Sequence, residues 1–214
     1  LKKLLPYLVA AAIFIILAVA YCHPVLSGKV LQQGDINQWK GMAQETLQYY
    51  DQTGKWSAWT NSMFSGMPTY QIAGGVTNEV TWFTKVCSAL SGFFTNLTHL
   101  FFHNNVLMII IGYLIGFYIL LSSFKVDKWL AIVGSIAITF SSYFFIIIVA
   151  GHESKALTLG LMAPVIAGFY LIFRKKYIWG ICLTMLYTAF GLYKHPQMSY
   201  YIFMMIAVLA LAEI

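Results

Sequence analysis

Six apolar segments, each about as long as a lipid bilayer is thick, constrain this chain more than any other feature of its sequence. A hydrocarbon core of about 30 Å needs about 20 apolar residues in a helix. Helices satisfy their own backbone hydrogen bonds, which lipid cannot do. The segments are residues 4–21, 106–124, 129–150, 156–173, 177–193 and 198–212. The sequence therefore predicts an all-α, polytopic transmembrane helix bundle of about six spans.

The charge distribution supports a membrane protein and argues against a protein that binds nucleic acid. Charged residues make up 9% of the chain, whereas about 25% is usual in soluble domains. The basic residues that give the net charge of +6 cluster in short loops between apolar segments. These loops contain Lys2 and Lys3, Lys125 and Lys128, and residues 174–176. With six spans they share one side, which the positive-inside rule makes cytoplasmic, so the N-terminus is predicted to be cytoplasmic.

The two ends of the chain suggest how the first and last segments are used. Segment 4–21 contains Ala18-Val19-Ala20, a pattern typical of signal-peptide cleavage. The apolar run is long for a signal peptide and further spans follow, so we favour an uncleaved anchor. The chain starts at Leu1 and ends directly after an apolar run. We therefore expect it to be a fragment of a longer protein.

Glycines inside the spans indicate that the helices pack closely against one another. Small residues let helix backbones approach within a membrane, where lipid removes the hydrophobic driving force for association. The glycines in question are Gly112, Gly116, Gly134, Gly160, Gly168 and Gly180.

The long loop at 22–105 is predicted to be structured and extracytoplasmic. Residues 35–54 have apolar side chains at helical spacing and end in Gly54, which predicts an amphipathic helix. Residues 56–75 are rich in Ser, Thr, Gly, Pro and aromatic residues, which is typical of an ordered irregular loop. Residues 80–102 are apolar and aromatic with polar interruptions. This segment is interfacial, re-entrant or spanning, and the sequence leaves these alternatives open.

Polar groups that suit phosphate binding and proton transfer lie on the predicted extracytoplasmic side. Asp35 follows the first span and is a candidate general base. Lys and His side chains supply charge-assisted hydrogen bonds to phosphate. The candidate residues for binding a lipid phosphate or substrate are His152, Lys155, Lys194, His195 and Gln197. If the helices form one bundle, these groups converge on one cleft.

Each candidate also has a purely structural interpretation. Asp35 and Gln38 match a helix capping box. The two lysines suit snorkelling to lipid headgroups, the histidines suit solvated loop ends, and Glu153 suits a surface pair with Lys155. The aromatic residues suit packing, or a platform for a sugar ring or an isoprenoid chain; they are Trp56, Trp59, Phe64 and Tyr70. No group of residues has the spacing of a metal site, so no cofactor is predicted and a divalent metal ion is left as an unsupported possibility.

Three stretches of the chain resemble the YfhO-like bacterial membrane proteins, especially Bacteroidetes-type members. They are GDINQWKGMAQETLQYYDQTGKWSAWTNSMFSGMPTYQI at 34–72, FKVDKWLAIVGSIAITFSSYFFIIIVAGHESK at 124–155 and KHPQMSYY at 194–201. That family is similar to the GT-C glycosyltransferases, which take a sugar from a polyprenyl-phosphate donor. The resemblance implies a bacterial inner-membrane protein with a GT-C-like fold, of which this chain would be the N-terminal portion. It also implies an acidic residue in the first outer loop as the catalytic group, and Asp35 is the residue that matches.

The function implied by this resemblance is transfer of a sugar from a polyprenyl-phosphate donor to a cell-envelope glycan or lipid. Asp35 would deprotonate or orient the acceptor hydroxyl, while Lys and His groups hold the departing phosphate. Asp35 is followed by Ile36, so the chain lacks the paired acidic motif that would suggest a metal ion. The alternative function is a non-catalytic transporter or flippase, or a scaffold for envelope assembly.

Overall fold

A computed structural model describes residues 4–72, 85, 86, 89 and 105–213, and for residues 105 and 189–194 it describes the backbone alone. The predicted interfacial segment 80–102 therefore lies almost wholly outside the described residues. The described part of the chain is mostly helical, which confirms the all-α prediction. Its helices are α1 (Leu5–Tyr21), α2 (His23–Leu26), α3 (Gly34–Thr53), α4 (Asn105–Ser123), α5 (Lys128–Thr139), α6 (Ser142–Ala150), α7 (Glu153–Phe173), α8 (Tyr177–Lys194) and α9 (Pro196–Glu213).

Three of these helices are long and apolar enough to cross a membrane: α4, α7 and α9. The consecutive helices α5 and α6 pass the same test together, although they are bent by 43° at residues 140–141. Helix α1 is apolar but has 17 residues, and α8 is apolar over the shorter stretch Tyr177–Thr188. The structure thus supports three or four spans by length and composition, while the count of six and the GT-C-like fold stay predictions.

Glycine contacts hold the central helices together, as the sequence predicts. A Cβ atom on Gly160 of α7 would lie 2.5 Å from the ring of Tyr113 of α4. A Cβ on Gly116 of α4 would lie 2.8 Å from the Gly160 carbonyl oxygen. Between α7 and α8, a Cβ on Gly168 would lie 2.8 Å from the carbonyl oxygen of Gly180. Since real Cβ atoms do not approach so closely, these backbones pack in a way that only glycine permits.

The basic loops 125–128 and 174–176 lie at one end of the bundle. The Lys128 ammonium lies 4.4 Å from the ring centroid of Tyr7, which joins the start of α5 to the start of α1. The rings of Phe124 and Tyr170 are 4.7 Å apart, so α4 and α7 end together. Arg174 Nη2 lies 3.8 Å from Glu213 Oε1 at the end of α9. The opposite end, where α6 ends and α7 begins, is called the Asp35 end below.

Helix α3 and the short hairpin that follows it form a small unit at the Asp35 end. The hairpin pairs strand β1 (Trp59–Thr60) with strand β2 (Met67–Pro68) in antiparallel register, and the 3-10 turn Thr69–Gln71 follows. The Trp39 indole N–H donates to the Ile72 carbonyl oxygen at 2.6 Å, which closes the unit. As predicted, α3 ends at Gly54, whose φ of 67° is left-handed and favours glycine.

The carboxylate of Glu45 fixes the hairpin to α3. One of its oxygens accepts hydrogen bonds from the Thr60 hydroxyl, from the Asn61 backbone N–H at 2.9 Å and from the Ser62 backbone N–H at 3.0 Å. The Thr60 hydrogen bond, with those two backbone donors, lowers the pKa of Glu45, because all three favour the charged carboxylate. No sequence pattern predicts this contact, because Glu45 has the features of an ordinary exposed helix residue.

The hairpin is therefore expected to loosen in acid. A lowered folded-state pKa contributes stability that is fully present above the unfolded value of about 4.3 and is lost as the pH falls through the folded pKa. The protection factors of the amides at residues 59–69, which correct for the intrinsic pH dependence of exchange, should fall over that window in the wild type. Glu45→Gln should remove this pH dependence and exchange faster at neutral pH, because an amide accepts these donors less well. Asp51→Asn, on an exposed carboxylate of the same helix, is the control that should keep the wild-type profile.

Candidate functional site

The structure brings two of the candidate residues together at the Asp35 end. His152 Nε2 lies 3.1 Å from Asp35 Oδ2, although the two residues are far apart in sequence. Both side chains are 50% exposed, so each keeps atoms free to meet a ligand. Asp35 lies in the first turn of α3, where the helix dipole favours a negative charge.

The predicted capping box is wrong. Helix α3 begins at Gly34, so Gln33 occupies the N-cap position and Asp35 lies inside the helix. Gln33 has an extended backbone, and its side chain makes no cap hydrogen bond. The helix starts early because Gln33 is held by another element, and the carboxylate of Asp35 turns to His152 instead.

His152 reaches Asp35 because of the tight turn between α6 and α7. Gly151 ends α6 with a left-handed φ of 105°, a conformation that residues other than glycine adopt at a cost. Its backbone also lies against α3: a Cβ there would be 3.2 Å from Ile36 Cγ1 and 3.3 Å from Gln33 Cβ. His152 follows at the position before α7. Glycine therefore allows α3 to dock on the turn that carries the imidazole.

A buried hydrogen bond fixes the start of α3 to the bundle. Gln33 is 8% exposed, and its side-chain N–H donates to the Ile148 carbonyl oxygen at 2.8 Å. Leu31 packs beside it against a buried cluster that includes Ile148, Tyr113 and Ala156. The Tyr113 hydroxyl donates to the Ala156 carbonyl oxygen at 2.6 Å, which ties the first turn of α7 to α4. Both members of the Asp35–His152 pair are thus anchored to the same buried cluster.

Each of the remaining candidates whose side chain is described has a different partner. Lys155 is in the first turn of α7, and its ammonium lies 6.0 Å from the ring centroid of Tyr143. The His195 Nδ1 accepts a hydrogen bond from the Met198 backbone N–H at 3.3 Å, at the start of α9. Gln197 donates to the Tyr201 hydroxyl at 3.1 Å. Within the described part of the chain, no hydrogen bond or ion pair joins these residues to Asp35 or His152.

Helix register places His195 at the same end as the pair. Helices α7 and α8 are antiparallel and meet at Gly168 and Gly180. Glu153 lies as many residues before Gly168 as His195 lies after Gly180, so the two are at the same level along the helix pair. Lys194, the last residue of α8, is at this level too; the structure describes its backbone only.

The predicted aromatic residues lie on the hairpin unit next to α3. Trp56 stacks on Tyr50 with ring centroids 4.4 Å apart, so one face of its indole is used for packing. Trp59 packs against Gly66, where a Cβ would lie 2.8 Å from its indole nitrogen. Tyr70 is exposed, and its hydroxyl accepts a long hydrogen bond of 3.4 Å from Gln71. Their part in substrate binding stays a prediction.

A carboxylate that contacts an imidazole while both remain half-exposed is suited to proton transfer. When Nε2–H of a neutral imidazole donates to Asp35, the carboxylate is oriented and its second oxygen remains available to a ligand hydroxyl. Lys155, a positively charged residue in the first turn of α7, follows His152 by about one helical turn. Across the described residues, no group of three or more His, Cys, Asp and Glu side chains is arranged to hold a metal ion.

Sequence reasoning missed Gln33, whose position depends on a partner 115 residues away. Gln33→Ala should therefore release the start of α3. Loss of a buried hydrogen bond costs about 1 kcal/mol, so amide exchange at residues 37–41, the first hydrogen-bonded amides of α3, should become about fivefold faster. Gln32→Ala, on the exposed neighbouring glutamine, is the matched control and should leave exchange unchanged. Equal exchange in the two variants would contradict this anchoring role.

Comparison with known proteins identifies no similar protein. The chain matches no family model, and neither curated proteins nor solved structures give a significant match.

Proposed function

We propose that this protein is a membrane glycosyltransferase that moves a sugar from a polyprenyl-phosphate donor to a cell-envelope glycan or lipid. The observation that carries this proposal is the contact of Asp35 with His152 at one end of a bundle of apolar helices. A half-exposed acid–imidazole pair beside lipid-facing helices suits a reaction between a lipid-borne donor and a polar acceptor. The resemblance of residues 34–72, 124–155 and 194–201 to YfhO-like proteins points to the same chemistry.

In this proposal Asp35 is the general base. Its carboxylate takes the proton of the acceptor hydroxyl as that oxygen attacks the anomeric carbon of the donor. The bond from the anomeric carbon to the phosphate oxygen breaks, and the sugar is transferred with inversion. His152 holds the carboxylate in place through Nε2. The departing polyprenyl phosphate carries the negative charge away and needs no proton.

The basic residues at the Asp35 end would bind that phosphate. Lys155 lies one turn from His152, and Lys194, His195 and Gln197 lie at the same level on the neighbouring helices. Lys155 and Lys194 supply charge, while His195 and Gln197 supply hydrogen bonds. The rings of Trp56, Trp59 and Tyr70 would contact a sugar or the acceptor. In this proposal the Asp35 end is extracytoplasmic in the bacterial inner membrane, and the N-terminus is cytoplasmic.

The test is a transfer assay on the protein in its native membranes. A panel of radiolabelled polyprenyl-phosphate sugars is supplied, and label is followed into membrane lipids and envelope polymers. Incorporation that depends on the protein supports the proposal and identifies the donor. If the folded protein transfers sugar from none of the donors, the glycosyltransferase assignment is wrong.

A second function, transport or lipid flipping, is favoured by the break between α5 and α6. Interrupted spans line the substrate sites of many transporters, because the broken helix leaves backbone polar groups available within the membrane. Next to this break, Thr139 is 1% exposed, and its hydroxyl has no hydrogen-bond partner among the described residues. Reconstitution in vesicles with labelled polyprenyl-phosphate lipids distinguishes the two functions, since a flippase moves intact donor between leaflets without releasing its sugar. A scaffold for envelope assembly would do neither.

A further inference from the structure

We propose that the hairpin after α3 is a docking surface for a neutral sugar ring, formed by Trp59, Phe64 and Tyr70 and called the aromatic surface below. For its place in the reaction, this inference rests on the proposed glycosyltransferase function. Binding of the sugar can nevertheless be measured directly, without any transfer reaction.

The chemistry of the hairpin segment favours an uncharged ligand. Residues 56–72 contain no acidic residue, no basic residue and no histidine. The segment instead supplies hydroxyl and amide groups from residues such as Asn61, Ser65 and Gln71. No residue of this segment carries a positive charge that could pair with a phosphate or a carboxylate. A neutral sugar, with apolar C–H faces and hydroxyl edges, matches both the aromatic and the polar groups present.

The three aromatic side chains are unusually exposed for their type. Their exposed fractions are 53% for Trp59, 83% for Phe64 and 61% for Tyr70. The indole of Trp59 rests on Gly66, at a distance that leaves no room for a Cβ there. One face of the ring is thereby supported by backbone, while the remainder is open to a ligand. A ring held flat in this way is suited to stacking, because aromatic faces carry partial negative charge that attracts polarised C–H groups.

The turn that carries Phe64 is held in a strained conformation. Phe64 and Ser65 have left-handed φ values of 50° and 59°, and Gly66 has a φ of 121°. Residues with side chains seldom adopt such angles unless the surrounding structure imposes them. Here Glu45 binds the backbone N–H groups of Asn61 and Ser62 at the base of the turn. The strained turn displays an apolar ring to solvent rather than burying it.

A fixed display of rings lowers the entropy that a ligand must overcome. Trp and Phe side chains have two rotatable bonds, and the indole of Trp59 is already immobilised against Gly66. The unit is also adjacent to the candidate site, since the same helix α3 carries Asp35 in its first turn and Glu45 further along. We infer that the aromatic surface holds an acceptor glycan whose end reaches the Asp35 end.

The test measures binding of neutral hexose and N-acetylhexosamine oligosaccharides to the whole protein in nanodiscs. Saturation-transfer NMR should show transfer to the sugar ring C–H protons. Trp59→Ala and Phe64→Ala should each weaken binding by about tenfold. Trp179→Ala, on an exposed tryptophan of α8 near the basic loops, should leave binding unchanged. No sugar donor is present in this measurement, so docking and transfer can fail separately.

Two results would overturn the inference. One is that the folded wild type binds none of the oligosaccharides, or that both aromatic variants bind as well as the wild type. The other is that the rings lie in the bilayer. The fluorescence of Trp59 is obtained by subtracting the spectrum of Trp59→Phe from that of the wild type. If brominated lipids in the nanodisc quench this Trp59 fluorescence, the hairpin anchors the protein in lipid and is not a glycan surface.

Discussion

Asp35→Asn is expected to lower the rate of sugar transfer by about 10²–10⁴-fold, the usual contribution of a general base. Asparagine has nearly the shape of aspartate and still offers an oxygen to His152 Nε2, which lies 3.1 Å from the carboxylate in the wild type. It cannot accept a proton at neutral pH, so the acceptor hydroxyl would have to attack without a base. The measurement is the initial rate of label transfer in native membranes at equal protein levels.

The matched control is Asp51→Asn, which neutralises an exposed carboxylate near the other end of α3 and should transfer sugar normally. Neither variant should unfold the protein, because a half-exposed ion pair contributes about 0–1 kcal/mol to stability. If Asp35→Asn transfers sugar at the wild-type rate, Asp35 is not the base. If its rate falls together with its thermal stability, the loss reports folding and not catalysis.

His152→Gln separates positioning from proton transfer. A glutamine keeps an N–H donor for Asp35 but has no group that titrates near neutral pH. If His152 acts only by holding Asp35, this variant should retain most of the transfer rate and the wild-type pH profile. A loss as large as that of Asp35→Asn would instead make the imidazole a proton-transfer group in its own right.

The parts of this fold that follow local patterns were predictable from the sequence. The apolar segments predict the long helices, Gly54 predicts the end of α3, and glycines in the spans predict close packing such as that of Gly160 on Tyr113. The break between α5 and α6 was not predicted. Its residues, Phe140 and Ser141, include neither proline nor glycine, and the polar pair Ser141 and Ser142 is a weaker signal for the end of a helix.

The site was predictable only as a set of residues on one side of the bundle. Asp35 and His152 were expected to converge because their loops follow spans that end on the same side. The contacts that bring them together do not follow a periodic sequence pattern. The Gln33 side chain donates a hydrogen bond to a carbonyl oxygen of α6, and Gly151 leaves room for Ile36. Glu45 likewise depends on where the hairpin folds back. Such contacts join residues distant in sequence, and a single sequence carries no local signal for them.

Gly168→Ala is expected to destabilise the protein by about 1–3 kcal/mol, because the new methyl group has no space. It would lie 2.8 Å from the Gly180 carbonyl oxygen, 2.9 Å from the Thr184 backbone nitrogen and in direct contact with the Thr184 hydroxyl. These backbone atoms belong to α8, and they cannot move away unless α8 separates from α7. The melting temperature in detergent should fall by roughly 2–12 °C.

Gly112→Ala is the matched control, since a Cβ at Gly112 of α4 meets nothing within 4 Å in the part of the chain that the structure describes. There, alanine should leave stability unchanged or raise it by up to about 1 kcal/mol, through its higher helix propensity. If both variants melted alike, α7 and α8 would not meet at Gly168 and Gly180. The register that sets His195 level with Glu153 would then fail, and with it the placement of the phosphate-binding residues at the Asp35 end. The stability of one glycine variant therefore tests the geometry on which the proposed site depends, without any assay of activity.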